Sequence, residues 1–451
     1  MGLSVVFRRL PTASSARQLF YGVLIGIALS LTAMSVNDYF EERKRKRAPL
    51  VFEPRPIELR SDEVVDGVAG LIGNTPLVRI KSLSTALGVE ILGKAEFMNP
   101  GGSVKDRVAL RMITDAEQRG LLHPHTGSRI FEGTVGSTAI IMPDDVAEEK
   151  VKALFALGAH VERVRPASIV DKKQNLARER AKHFGNEEAE NPAKAIPTHH
   201  GHLITTFSSS VIVTTTADDA LADGALMSPG EEREFELMPR GFFADQFENR
   251  SNYYAHLDGT GPEIWRQTSG LVDAFVAGAG TGGTLAGIGQ YLKNKKENII
   301  VALADPEGSG LFNKVKYGVM FDRKEAEGTK RRHQVDTVVE GIGINRLTHN
   351  FELALPIVDD AFRVTDEEAV AMSRYLVHHD GLFLGSSSAC NLIACIRLVK
   401  KLGWNNDERV VTILCDSGSR HYSKFWNDDY LAKANIPVDM HLVDRILAGD
   451  A

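Results

Sequence analysis

The chain has 451 residues, 43% hydrophobic and 25% charged, a globular balance that predicts a sizeable core and excludes a chain without one. A net charge of -6 and the lack of any base-reading motif exclude a general attraction to nucleic-acid backbones. The 3 cysteines, Cys390, Cys395 and Cys415, lack the CxxC spacing of a zinc site or redox couple, so they read as buried small hydrophobes in a reducing compartment.

Residues 1–47 form an N-terminal segment. Within it, residues 19–36 (LFYGVLIGIALSLTAMSV) are 18 residues without a charge, which as a helix rising about 1.5 Å per residue just spans a hydrocarbon core. Arg8, Arg9 and Arg17 precede this stretch, and Arg43, Lys44, Arg45, Lys46 and Arg47 follow it. The heavier basic flank lies on the C-terminal side, so the expectation is a membrane anchor with the body facing the cytosol. A short, weakly apolar segment with basic flanks suits a mitochondrial outer-membrane anchor, with the endoplasmic reticulum left open as an alternative. Residues 48–61, with Pro49, Pro54 and Pro56, read as an extended linker.

A catalytic body is expected over 62–434 and a tail over 435–451. EILGKAEF (90–97) reads as a strand, and Val104, Val108, Met112 and Ile113 give helical spacing over 104–119. RIFEG, HVERV, DAFVAGAG, IIVALADP and VVTILCDSG are short apolar runs, most of them ending in Gly, Asp or Pro, as buried parallel strands do. Helical stretches over 284–293, 366–378 and 387–401 alternate with them. The pattern predicts an α/β fold with parallel sheet. Residues 185–239 break that rhythm and read as a poorly ordered insertion.

Two segments carry candidate chemistry. GAGTGGT, Gly278 to Thr284, follows an apolar strand and precedes a helix, so its backbone N–H groups and the helix dipole suit an anion such as a phosphate. Similar turns serve dinucleotides or bind nothing, although the GxGxxG spacing and a suitably placed ribose-binding acid are missing here. NPGGSVKDR, Asn99 to Arg107, puts Lys105 on the first turn of a helix, where a cation opposes the dipole. Schiff-base formation with an aldehyde cofactor would remove that charge.

In combination the segments are more specific. NPGGSVKDR, FEGTVGST, DQFEN, TGPEIW, GAGTGGT, EGIG, GSSSA and LCDSG occur in the order of fold-type II pyridoxal-phosphate enzymes, and the chain resembles the cysteine synthase and cystathionine β-synthase family over roughly 62–426. It is especially similar to the fungal, membrane-anchored cysteine synthases. The resemblance implies two lobes, each with a largely parallel sheet flanked by helices. It implies pyridoxal 5'-phosphate bound as a Schiff base to Lys105, which also acts as the base toward the substrate Cα proton, and no metal. Gly280, Thr281, Gly282, Gly283 and Thr284 would hold the cofactor phosphate, and Ser417 would face the pyridine nitrogen. Thr134, Gly136, Ser137 and Thr138 would bind the substrate carboxylate, aided by Gln246, with Gly341 lining the pocket. Relatives carry TSGNT where this chain has TVGST, so Ser137 takes the place of an asparagine beside the cofactor's phenolic oxygen.

The implied reaction is a β-replacement forming L-cysteine from O-acetylserine and sulfide. Serine and homocysteine are alternative substrates, and homodimers are common in the family. One departure stands out. Relatives place a helix and a strand of about twenty residues between the carboxylate loop and the IxMPDD segment, whereas here EGTVGSTA runs straight into IIMPDD. Parallel neighbours need a crossover of about a dozen residues. The smaller lobe is therefore predicted to lack one helix–strand unit and not to pair in its usual way. That raises two alternatives, an altered transcript or a variant with impaired catalysis that persists as a scaffold.

Overall fold

The structure is a computed structural model that describes residues 64–122, 124, 126, 128–132, 139–143, 146–164, 176–182, 210–211, 241–322 and 337–449. The segment 19–36 lies outside them; among the described residues no helix is long and apolar enough to cross a membrane.

Two sheets organise the body. The larger contains β1 (Leu77–Arg79), β2 (Glu90–Ala95), β8 (Ala274–Gly278), β9 (Ile300–Pro306), β10 (Asp360–Val364) and β11 (Arg409–Leu414), in the order β1-β2-β11-β8-β9-β10. Only the β1–β2 pair is antiparallel; the other pairings are parallel. Parallel strands covered on both faces should be apolar throughout. Residues 274–277 of β8 and 301–304 of β9 are indeed nearly or wholly buried. Helices Ser386–Leu402 and Asp366–Asp380 join the apolar cluster on one face of this sheet, and Gly283–Lys295 joins the cluster on the other.

Helix ends follow their sequence signals. A Thr365–Glu368 capping box opens Asp366–Asp380, and Gly381 in the left-handed region ends it. Gly403 closes Ser386–Leu402 in the same way.

The smaller sheet joins β3 (Arg129–Glu132), β4 (Ala139–Pro143), β5 (His160–Val164), β6 (Ser210–Val211) and β7 (Gly241–Phe243) in the order β5-β4-β3-β7-β6, all parallel. One expectation is corrected here: β3 and β4 do pair in parallel, although only 133–138 separate them. The register explains how. Phe131 pairs with Ala139 and Glu132 with Ile140, so β4 begins beside the end of β3 and the two share only those pairs. The link has to step back by about one residue, roughly 3 Å, and sideways by about 5 Å, well within its reach. A long crossover is needed only when the strands lie fully abreast. Of the stretch 185–239 only residues 210–211 are described, and they pair with Gly241 and Phe242 at the sheet edge; the rest of the expected insertion lies outside the described residues.

Candidate active site

Lys105 is the first residue of helix Lys105–Gln118, and two contacts fix its approach. Val104 N donates to Cys415 O at 3.1 Å, and Ser103 bridges to Asp416, so the lysine segment is sewn to the end of β11. Lys105 therefore faces the C-terminal ends of the central strands, where open parallel sheets place their ligands. Loss of hydration holds its ammonium below the usual lysine range, only partly offset by Cys415 and Asp416. A lysine more easily made neutral is a better nucleophile and base.

Across a cavity of about 160 Å³ from Lys105 lies the turn between β8 and helix Gly283–Lys295. Gly280, Thr281, Gly282 and Thr284 line this cavity together with Gly341. The glycines are there because side chains do not fit. A Cβ on Gly280 would stand 2.6 Å from the Gly341 carbonyl oxygen. Gly282 has φ +90°, and a Cβ there would lie 2.5 Å from Phe351 Cα. Backbone N–H groups at the start of a 13-residue helix then face the cavity, which suits a phosphate.

The strand β11 end contributes Cys415 and Asp416 to the lining. Burial pushes the Cys415 thiol up to about 11, which makes it a poor nucleophile at neutral pH. Ser417 lies one residue further on, where its Oγ accepts from Ser419 N at 3.3 Å and caps the turn Gly418–Arg420. Gln246 is buried and lines an adjoining apolar cavity that also reaches Lys105. Thr134, Gly136, Ser137 and Thr138 lie outside the described residues.

Sequence reasoning missed the charged layer beneath the lysine. Arg107 Nε meets Glu96 Oε2 at 2.7 Å, and its two terminal nitrogens meet Glu263 at 2.7 and 2.8 Å. Lys94, fully buried, adds a 2.6 Å contact to Glu263. The available signal was Glu263 in TGPEIW, whose acid the motif does not otherwise explain. A second ion cluster lines the cavity wall, where Lys150 and Lys424 pair with Glu340. Buried His421 donates from Nε2 to Asp416 Oδ2 at 2.8 Å.

A desolvated lysine amine, a glycine-rich turn at a helix start and a cavity joining them fit an aldehyde-bearing phosphorylated cofactor. The family description "Pyridoxal-phosphate dependent enzyme" matches residues 68–214 and 202–416. A Schizosaccharomyces pombe protein named cysteine synthase 2 is 52% identical over 83% of this chain and 87% of its own length. A Saccharomyces cerevisiae protein provisionally named a mitochondrial cysteine synthase is 44% identical over 89% of this chain and 92% of its own. Among solved structures, a hydrogen sulfide-producing enzyme from Fusobacterium nucleatum superposes with a TM-score of 0.57 at 25% identity, covering 79% of this chain and 100% of its own. The family match and relatives up to 52% identical over most of its length show that the chain belongs to the cysteine synthase family of pyridoxal-phosphate dependent enzymes.

Proposed function

We propose that this chain makes L-cysteine by β-replacement, exchanging the acetoxy group of O-acetylserine for sulfide, with pyridoxal 5'-phosphate held at Lys105. The observation that carries the reading is the placement of Lys105, with its depressed amine pKa, across a cavity from the Gly280–Thr284 turn. The relatives named as cysteine synthases support the product.

Bound pyridoxal phosphate supplies an aldehyde that bonds to amines and a ring that withdraws electrons from the substrate Cα. The rest falls to the protein. Lys105 would hold the cofactor through its amine, and its freed Nζ would take the substrate Cα proton. The turn Gly280, Thr281, Gly282, Gly283 and Thr284 would hold the phosphate. Ser417 would serve the ring nitrogen, where a neutral hydroxyl, unlike a carboxylate, would suit elimination over transamination. Thr134, Gly136, Ser137 and Thr138, with Gln246, would hold the substrate carboxylate. Gly341, with no atom within 4 Å of where a Cβ would stand, keeps the pocket open.

The test is covalent. Borohydride reduction of the full-length protein should fix the cofactor on the peptide containing Lys105, and O-acetylserine with sulfide should then yield cysteine in the unreduced enzyme. A label elsewhere, or none, would overturn the assignment. A label without turnover of any O-acylated serine would favour the scaffold reading. Serine or homocysteine in place of the two substrates would change none of the residues named, so competition assays separate those chemistries.

The anchor is part of the same proposal. Residues 19–36 and their basic flanks support a membrane-tethered enzyme with its body in the cytosol, and the name of the Saccharomyces cerevisiae relative supports mitochondria over the endoplasmic reticulum. Alkaline extraction should leave the protein in the membrane pellet, and protease added to intact mitochondria should remove the body. Light scattering on the detergent-solubilised protein tests the homodimer that the resemblance implies.

A further inference from the structure

Helix Ser251–Ala255 runs on into a π-helical turn, His256–Thr260, and packs behind the glycine-rich turn. Two of its buried side chains, Asn252 and His256, stand four residues apart and reach the two threonines of that turn. Asn252 Nδ2 donates to Thr281 Oγ1 at 2.8 Å and to the Gln246 carbonyl at 2.8 Å. The carbonyl fixes which end of the amide faces it, so Thr281 receives a hydrogen bond and its own proton must point elsewhere. His256 Nε2 lies 3.1 Å from Thr284 Oγ1, and its Nδ1 lies 2.9 Å from Thr260 Oγ1. Burial, with the positive charges of Arg107 and Lys105, keeps this imidazole neutral. It therefore carries one N–H.

The contact is built rather than incidental. A Cβ on Gly283 would stand 2.2 Å from Asn252 Oδ1, and one on Gly287 would stand 2.8 Å from His256 Cβ and 2.5 Å from Tyr253 O. Two glycines one helical turn apart thus let the backbones close until Asn252 and His256 touch the threonines. Glycine at 287 lies beyond the turn itself, so anion binding does not account for it.

We propose that Asn252 and His256 are positioning residues that hold the Thr281 and Thr284 hydroxyls as acceptors from behind, so that both hydroxyl protons point into the cavity toward the cofactor phosphate. This rests on the reading of Gly280–Thr284 as the phosphate site. The imidazole then carries its proton on Nε2 and accepts from Thr260 at Nδ1.

The test compares pyridoxal 5'-phosphate with pyridoxal, which lacks the phosphate, on full-length protein stripped of cofactor. His256→Leu and Asn252→Leu should each weaken pyridoxal-phosphate binding about tenfold, the size of one buried hydrogen bond left unmade, and leave pyridoxal binding unchanged. His256→Gln keeps a donor and should restore most of the loss. Equal loss for both ligands, or no loss, would overturn the proposal. Nitrogen-correlated NMR of the wild-type imidazole needs no variant: a proton on Nδ1 in the cofactor-loaded enzyme overturns it as well. If wild-type protein binds the two ligands equally, the phosphate site itself is wrong. If the wild type prefers the phosphorylated ligand and the Leu variants keep that preference, only the positioning role fails.

Discussion

Arg107 holds Glu263 through both terminal nitrogens, at 2.7 and 2.8 Å, and so ties the start of the lysine helix to a segment 156 residues away. Only Asp106 separates this grip from Lys105. Burial works to raise the Glu263 carboxyl, but the hydrogen bonds and charges of Arg107 and Lys94 outweigh it and hold the group down at about 2, against an ordinary value of 4.5.

That depression has a sign. A carboxyl held lower in the folded chain than in the unfolded one adds stability that is complete above about pH 4.5 and is lost as pH falls toward 2. The difference corresponds to about 3 kcal/mol. Urea unfolding at pH 7 and pH 3 should therefore show a larger acid loss for the wild type than for Glu263→Gln, and Glu263→Gln should be less stable by about 3 kcal/mol at pH 7. Equal stability of the two proteins at pH 7 would contradict the network's role.

Asp305 behaves in the opposite sense. Burial at the end of β9 raises its carboxyl to about 7, despite bonds from Ser309 and from Phe312 N. An acid raised in the fold favours the protonated folded state, so its contribution is full below about pH 4 and disappears as pH rises through 7. The span from 3.8 to about 7 is worth up to about 4 kcal/mol. Asp305→Asn should remove that slope, and unfolding curves at pH 5 and pH 8 would show it; parallel pH dependence in variant and wild type would refute the assignment.

Gly280→Ala should spoil the cavity without unfolding the chain. The added Cβ meets the Gly341 carbonyl at 2.6 Å, a backbone atom that cannot swing away. Absorbance titration should show cofactor affinity reduced at least about tenfold, with the thermal transition of the cofactor-free protein shifted by only a few degrees. Unchanged affinity would mean that this turn does not cradle the cofactor.

The two-pair overlap of β3 and β4 makes a local prediction. Only two residue pairs join β3 to β4, so the small sheet should part at that seam before the large one unfolds. Hydrogen exchange at Ile140 should be faster than at Val276 and Val301, which sit inside the large sheet. Equal protection would show that the short link costs the small sheet nothing.

Much of this was legible in the order of residues. Apolar runs placed β2, β5, β8, β9 and β11, and the spacing of Val104, Val108 and Met112 placed the lysine helix. Gly280 and Lys105 stood out because a strand-to-helix turn rich in glycine and a cation at a helix start each need a chemical reason. The consequence of the short link between Glu132 and Ala139 was misjudged, because strand register is a property of the sheet rather than of chain length.

The primary structure by itself determined the family, through the order of its motifs, and marked the lysine and the glycine turn as candidates through their immediate neighbours. Only the folded chain decided the partners of Arg107, the acid strength of Asp305 and the contact of His256 with Thr284. Those effects come from desolvation and from charges or hydrogen-bonding groups brought together across the fold, and local pattern carries no trace of which distant group will arrive.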